Sequence, residues 1–136
     1  MFLANYSDGL CDLDLDRFVA DFKAAGKTAS FLSVPAPYTF HIVQSDVENH
    51  VTRLEAIGTS HLRVNGGFFA LRREIFNVLQ ENEDLVSEPF ERLIAKRELL
   101  GVPYDGFWRS MDTFKDRMNL EELWGREKAP WKVWNR

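Results

Sequence analysis

Two aspartates stand far apart in the chain, each in a turn-like context. Asp8 lies in Asn5-Tyr6-Ser7-Asp8-Gly9, and Asp112 lies in Gly106-Phe107-Trp108-Arg109-Ser110-Met111-Asp112-Thr113. Each follows a short apolar or aromatic run that reads as a strand. Carboxylates at strand ends can converge on one hard cation, which prefers oxygen ligands. A cation held there suits phosphate chemistry, because it neutralises charge on phosphoryl oxygens. Each residue also has a plainer reading: Asp8 as a turn aspartate before glycine, Asp112 as a helix cap before Thr113. Their shared position at strand termini, where ligands collect in open α/β sheets, favours a site.

A third segment, Val64-Asn65-Gly66-Gly67-Phe68-Phe69, lies between them. A glycine pair inside a strand marks either a bulge or a close approach of backbone to another group. In the second case the amides face a polar ligand and Asn65 adds an amide donor and acceptor. Glu88 precedes Pro89, which suits the first turn of a helix. A glutamate there can accept hydrogen bonds from sugar hydroxyls, or simply sit near the helix dipole, with Ser87 as an alternative cap. His41, His50 and His61 show no metal-ligand spacing and read as surface or strand residues. Cys11 lies near Gly9, but no basic neighbour makes it a thiolate.

These groups need elements to hold them. Phe2 to Tyr6 reads as a short buried strand. Asp12, Asp14 and Asp16 place negative charge before an apolar helical face of Leu15, Phe18, Val19 and Phe22, and Gly26 stops that helix. Thr28 to Val34 is the next strand, so strand, helix and strand form a parallel crossover. Thr39 to Val43 and His50 to Leu54 read as two strands around Ser45-Asp46. Leu62 to Leu71 is a strand interrupted by the glycine pair. Short helices follow around Ile75–Leu79 and Pro89–Ile94. Leu99 to Tyr104 and Phe107 to Arg109 read as a hairpin about Asp105-Gly106. Thr113 to Trp124 is the last helix.

The 136 residues suit one domain. Hydrophobic content of 45% supports a core, and a net charge of -4 argues against a nucleic-acid stripe. One cysteine excludes an internal disulfide, and no apolar run reaches membrane-spanning length. We therefore expect a cytoplasmic protein that acts on neither nucleic acid nor membrane. Trp124, Trp131 and Trp134 crowd the C-terminal stretch, either packing back onto the body or forming a subunit contact.

The marked segments together resemble the sugar nucleotidyltransferases, most closely the glucose-1-phosphate cytidylyltransferase branch. The likeness rests on Asn5-Tyr6-Ser7-Asp8-Gly9, Val64-Asn65-Gly66-Gly67-Phe68-Phe69 and Glu88-Pro89-Phe90-Glu91-Arg92-Leu93. It continues through Asp105-Gly106-Phe107-Trp108, Met111-Asp112-Thr113 and Ala129-Pro130-Trp131-Lys132-Val133-Trp134. The order and approximate spacing are the family's, from Phe2 to the C-terminus.

The resemblance implies an α/β fold: a partial nucleotidyltransferase-type, Rossmann-like mixed sheet flanked by helices, in one domain over 1–136. It implies nucleotidyl transfer from a nucleoside triphosphate, with CTP favoured, to a sugar 1-phosphate, releasing pyrophosphate. Asp8 and Asp112 would be the catalytic residues and would hold Mg²⁺. Asn65, Gly66 and Gly67 would contact the sugar, Glu88 would bind its hydroxyls, and Trp108 would line the same pocket.

Two departures shape further expectations. The family's N-terminal strand and its Gly-rich GGxGTR loop, which holds the triphosphate through backbone amides and basic charge, are absent. The chain would thus match the C-terminal two-thirds of a family member, truncated at its N-terminus. An apolar sheet edge or face would be left exposed, inviting a second copy or a separately encoded partner. Ala56-Ile57-Gly58 also replaces the family's usual Glu-Lys-Pro. That removes a lysine for the sugar phosphate, with Arg53 and Arg63 as candidate substitutes. The alternative is a non-catalytic homologue that binds a sugar phosphate or serves in assembly.

Overall fold

A computed structural model describes residues 1–37 and 40–135. In chain order the elements are strands β1 (Phe2–Asn5) and β2 (Gly9–Cys11), helix α1 (Leu15–Ala25), and strands β3 (Ala29–Pro35), β4 (His41–Ser45), β5 (Val51–Ala56) and β6 (Arg63–Leu71). Helix α2 (Glu88–Ala95), strands β7 (Leu99–Pro103) and β8 (Trp108–Ser110), and helix α3 (Phe114–Gly125) follow. Short 3₁₀ turns lie at Ile57–Thr59, Arg73–Asn77 and Val133–Asn135.

The main sheet has the order β1-β6-β3-β7. β6 runs antiparallel to both β1 and β3, while β3 and β7 are parallel. β1 and β3 therefore share a direction, and the expected parallel crossover exists with β6 inserted between its strands. Side-chain alternation on β3 and β6 divides the core in two. Ala29, Phe69 and Leu71 pack with Ile75, Phe90 and Leu93, which places α2 on one face. Leu32, Val34 and Ala70 pack with Phe18 and Phe22, which places α1 on the other. The result is the expected mixed sheet flanked by helices.

Local chemistry explains the helix ends. The Asp14 side chain accepts from Arg17 N at 3.0 Å, capping α1, and Gly26 closes it in a left-handed conformation with φ 67°. Thr113 caps α3 in a reciprocal box with Asp116, so Asp112 lies just outside the cap. The hydrogen bond from the Thr113 hydroxyl, helped by the backbone amides of Thr113 and Asp112, holds the Asp116 carboxyl below its ordinary range.

Three expectations need correction. β1 is an edge strand, not a buried one: Leu3 is 46% exposed, because only β6 flanks β1 among the described residues. Leu15 is 48% exposed since it opens α1 before the helix reaches the sheet, and Phe18 and Phe22 carry the buried face. Asp105-Gly106 does not form a hairpin. β7 pairs with β3 and β8 pairs with β2, so the turn carries the chain between sheets. Side-chain groups hold it there. Asp12 accepts from Phe107 N at 2.8 Å and from the Tyr104 hydroxyl, while Arg63 donates to Asp105 and to the Tyr104 carbonyl, both at 2.9 Å.

β4 and β5 form a separate antiparallel pair, shifted slightly from the predicted strands; Thr39, the predicted start of the first, lies outside the described residues, as does Tyr38. The Trp-rich tail packs partly at home. The Trp131 ring lies 5.5 Å from that of Phe107, whereas Trp134 is largely exposed. No described helix is long and apolar enough to cross a membrane.

Arg92 of α2 ties the preceding loop to the core. It donates to Val78 O and Glu83 Oε2, both at 2.6 Å, and also to Glu83 Oε1. The paired hydrogen bonds from Arg92 hold the Glu83 carboxyl at about 2, against an ordinary value of 4.5. A depressed carboxyl pKa stabilises the fold above its unfolded value, and the gain is lost as pH falls through the folded value. Melting temperature should thus fall between pH 4.5 and 2, and Glu83→Gln should flatten that part of the profile while lowering the plateau at pH 7. An unchanged acid limb in thermal melts of Glu83→Gln would show that the pair does not set it.

Candidate functional site

The two aspartates come together through the β2–β8 ladder. Gly9 pairs with Ser110 and Cys11 with Trp108. Asp8 immediately precedes β2 and Asp112 closely follows β8, so this register brings both to the same end of the pair. Met111 N donates to Asp8 O at 3.0 Å and extends the ladder by one step. Both aspartates border one cavity of about 210 Å³, together with Tyr6, Asn65, Gly66 and Trp108. Five of the residues picked out in the sequence thus meet at one place.

The glycine pair builds the wall of that cavity. Between Phe31↔Phe69 and Ser33↔Asn65 the β3–β6 register shifts, so β6 bulges. Gly67 sits at φ +71°, and a Cβ there would lie 2.4 Å from Tyr6 Cδ2. A Cβ on Gly66 would meet Val34 Cγ1 at 3.1 Å and Leu32 O at 3.2 Å. Both glycines are therefore required by neighbouring protein atoms. The Gly67 N–H is taken by Asn65 Oδ1 at 2.9 Å, and its carbonyl accepts from Tyr6 N at 3.0 Å. Asn65 Nδ2 makes no hydrogen bond among the described residues and remains a donor for a ligand. The Gly66 carbonyl accepts from Trp108 Nε1 at 2.8 Å, which fixes the indole against the bulge.

Other groups tune the carboxylates' surroundings. Ser110 Oγ donates to Asp112 Oδ2 at 2.6 Å, orienting that carboxylate while leaving Oδ1 for other contacts. Partial burial, then the negative charges of Asp84 and Asp8, push the Tyr6 hydroxyl above its ordinary range. Tyr6 is therefore a neutral donor at physiological pH. Burial is also the main cause of a raised Cys11 pKa, with the nearby Asp12 adding to it, so the thiol stays protonated and unreactive.

Gly67 and Glu88 do not border the cavity. Glu88 is the exposed first residue of α2, with Ser87 at the cap position. Sequence reasoning passed over Tyr6 and Ser110, although both lie within two residues of an aspartate. Among the described residues no cluster of three or more His, Cys, Asp or Glu is placed to hold a metal. Two carboxylates remain, and they suit Mg²⁺, which commonly takes one or two protein carboxylates and completes its shell with phosphates and water.

No protein-family model matches the chain. It is 33% identical over 134 residues to glucose-1-phosphate cytidylyltransferase of Salmonella typhi, and equally to that of Salmonella typhimurium. A Bacillus subtilis protein assigned as a glucose-1-phosphate cytidylyltransferase is 27% identical over 135 residues. These alignments take in 98% of this chain but 52–53% of the relatives. The chain therefore spans about half the length of the curated relatives it matches, a smaller share than the two-thirds expected. In fold it is similar to a Bacillus anthracis structure assigned as a glucose-1-phosphate thymidylyltransferase, at a TM-score of 0.62 and 14% identity, over 89% of this chain and 53% of that one. HddC from Yersinia pseudotuberculosis gives a TM-score of 0.56 at 15% identity, over 90% and 55%.

Gly67→Ala should destabilise the fold by about 1–3 kcal/mol, combining left-handed strain with the clash against Tyr6. The same substitution in a Tyr6→Ala background should cost less, because the clash is gone. Equal costs in the two backgrounds, measured by urea unfolding, would mean that the ring does not constrain the bulge.

Proposed function

We propose that the chain is a partial relative of the sugar nucleotidyltransferases and that its aspartate cavity serves a sugar-1-phosphate nucleotidyltransferase centre. The reaction would move a nucleotidyl group from a nucleoside triphosphate, CTP first among them, to a sugar 1-phosphate with release of pyrophosphate. The observation that carries this reading is the convergence of Asp8 and Asp112, distant in sequence, on one cavity beside Asn65 and Trp108.

Each residue has a task in this scheme. Asp8 and Asp112 would hold Mg²⁺, which when bound neutralises negative charge on phosphoryl oxygens. Ser110 keeps the Asp112 carboxylate oriented through its 2.6 Å hydrogen bond. Asn65 Nδ2 and the neutral Tyr6 hydroxyl would donate to the sugar's oxygens. The Trp108 indole offers a flat apolar wall, and the bulge holds it in place. Glu88 stands outside the cavity wall, so any contact with sugar hydroxyls would require a ligand that extends beyond it.

A second reading is favoured by the surface. The outer edge of β1 pairs with no strand among the described residues, and Met1, Phe2 and Leu3 are exposed along it. Apolar strand edges of this kind recruit another chain. We propose that the chain works in an assembly, with a second copy or with a partner that supplies triphosphate-binding groups; without them it would act as a sugar-phosphate-binding or assembly subunit.

Incubated with CTP, glucose 1-phosphate and Mg²⁺, the chain should release pyrophosphate, and Asp112→Ala should slow release about a hundredfold or more. No release, or equal release by the variant, would remove the catalytic reading and leave the binding subunit. Light scattering at micromolar concentration should give a mass above that of one chain or, with its partner present, a mixed complex. A folded monomer that takes up no partner would refute the assembly.

A further inference from the structure

A second cavity, of about 330 Å³, adjoins the first and shares Pro37, Ser110 and Asp112 with it. Its polar wall differs in kind, because Arg109 and Lys115 border it along with Asn119. Neither cation forms an ion pair among the described residues, although Asp112 and Asp116 line the same space. Asp116 takes the Thr113 amide at 2.9 Å and the Thr113 hydroxyl at 2.6 Å on the same oxygen, Oδ2, and the charge of Lys115 helps to keep it ionised without a direct ion pair.

The two cations are held differently. Arg109 lies on β8 opposite Leu10. Its Nη1 donates to Trp108 O at 2.7 Å, and its guanidinium rests over the Phe107 ring at 5.7 Å. These contacts restrain the planar fork while leaving other N–H donors for a partner. Lys115 occupies the second position of α3, inside the first turn. A lysine there opposes the helix dipole, which favours negative charge at that end, and only its weak support of the ionised Asp116 offsets this. An anion beside it would resolve the conflict, meeting the ammonium and the first-turn amides of Phe114 and Lys115 together. Among the described residues those two amides donate to no acceptor.

We infer that Arg109 and Lys115 form a phosphate-binding subsite contiguous with the aspartate cavity, and that it takes a phosphate group of the reacting substrates. The inference rests on the reading above, that the aspartate cavity serves phosphate chemistry. It supplies basic charge that the Ala56-Ile57-Gly58 segment lacks. A guanidinium fork and a point-charge ammonium together suit the tetrahedral oxygens of a phosphate ester. That phosphate belongs either to the sugar 1-phosphate or to the nucleotide, and the two sources separate in a binding experiment.

Isothermal titration of the full chain with glucose 1-phosphate, with CTP and with inorganic phosphate tests this. Lys115→Gln and Arg109→Gln should each weaken binding about tenfold, the loss expected for one hydrogen bond to a charged group, while Lys115→Arg should bind as the parent does. A loss confined to glucose 1-phosphate assigns the subsite to the acceptor; a loss confined to CTP assigns it to the nucleotide; either supports the subsite. A parent that binds none of the three, or glutamine variants that bind as the parent does, would overturn it. A second measurement needs no variant: the Arg109 Nε–H resonance should shift on adding phosphate, and an unmoved resonance counts against the subsite. Binding without pyrophosphate release would preserve the subsite and refute the catalytic reading. Parental release by both glutamine variants would do the reverse.

Discussion

The geometry of the cavity depends on one constraint, the bulge at Asn65–Gly67. With Gly67 left-handed and no Cβ present, the Tyr6 ring can lie directly against the backbone of β6. The same bulge turns the Gly66 carbonyl toward the Trp108 indole. β6 belongs to the main sheet and Trp108 to the small β2–β8 ladder, so that single hydrogen bond joins the two sheets beside the aspartates. The ladder then sets Asp8 and Asp112 by register alone. A side chain at either glycine would separate the wall from the ladder before it touched any ligand.

Charged side chains do the remaining positioning. Asp12 gathers Phe107 N and the Tyr104 hydroxyl, while Arg63 gathers Asp105 and the carbonyls of Ser33 and Tyr104. Between them they hold the passage from β7 to β8, which no backbone ladder spans. Arg63 was a candidate for a substrate phosphate, but its guanidinium is occupied here. The paired contacts of Arg92 with Glu83 fasten the loop that carries Asp84 toward Tyr6. The Asp12 and Arg63 contacts join residues distant in sequence, whereas the Arg92 contacts are local, and each cluster fixes a loop.

What the sequence revealed follows from the range of the forces involved. The 3.6-residue spacing of Phe18 and Phe22, the Asp14 cap and Gly26 are local signals, and α1 forms where they place it. The glycine pair, read as either a bulge or a close approach to a ligand, does form a bulge, since a short-range backbone requirement underlies it. Asp105-Gly106 misled because its outcome depends on Asp12 and Arg63, far away in the chain. β1 was read as buried because an apolar run does not show whether one neighbouring strand or two will flank it. The meeting of Asp8, Asn65, Trp108 and Asp112 was legible only from the motif set taken together. Arg109 and Lys115 gave no signal, as isolated cations on a strand and a helix usually belong to solvated surfaces.

The strand order has a consequence for how the chain reaches this structure. β1 and β3 both pair antiparallel with β6, and neither pairs with the other. The first half of the chain therefore cannot close a main sheet, however favourable its helix. During synthesis, β1, α1 and β3 must wait until β6 emerges, and then two long chain segments close at once. Contacts of such wide sequence separation raise the entropic barrier and slow folding. In the interval the apolar faces of β1 and β3 stay open to solvent, a window in which a nascent chain is most prone to aggregation or to capture by a chaperone.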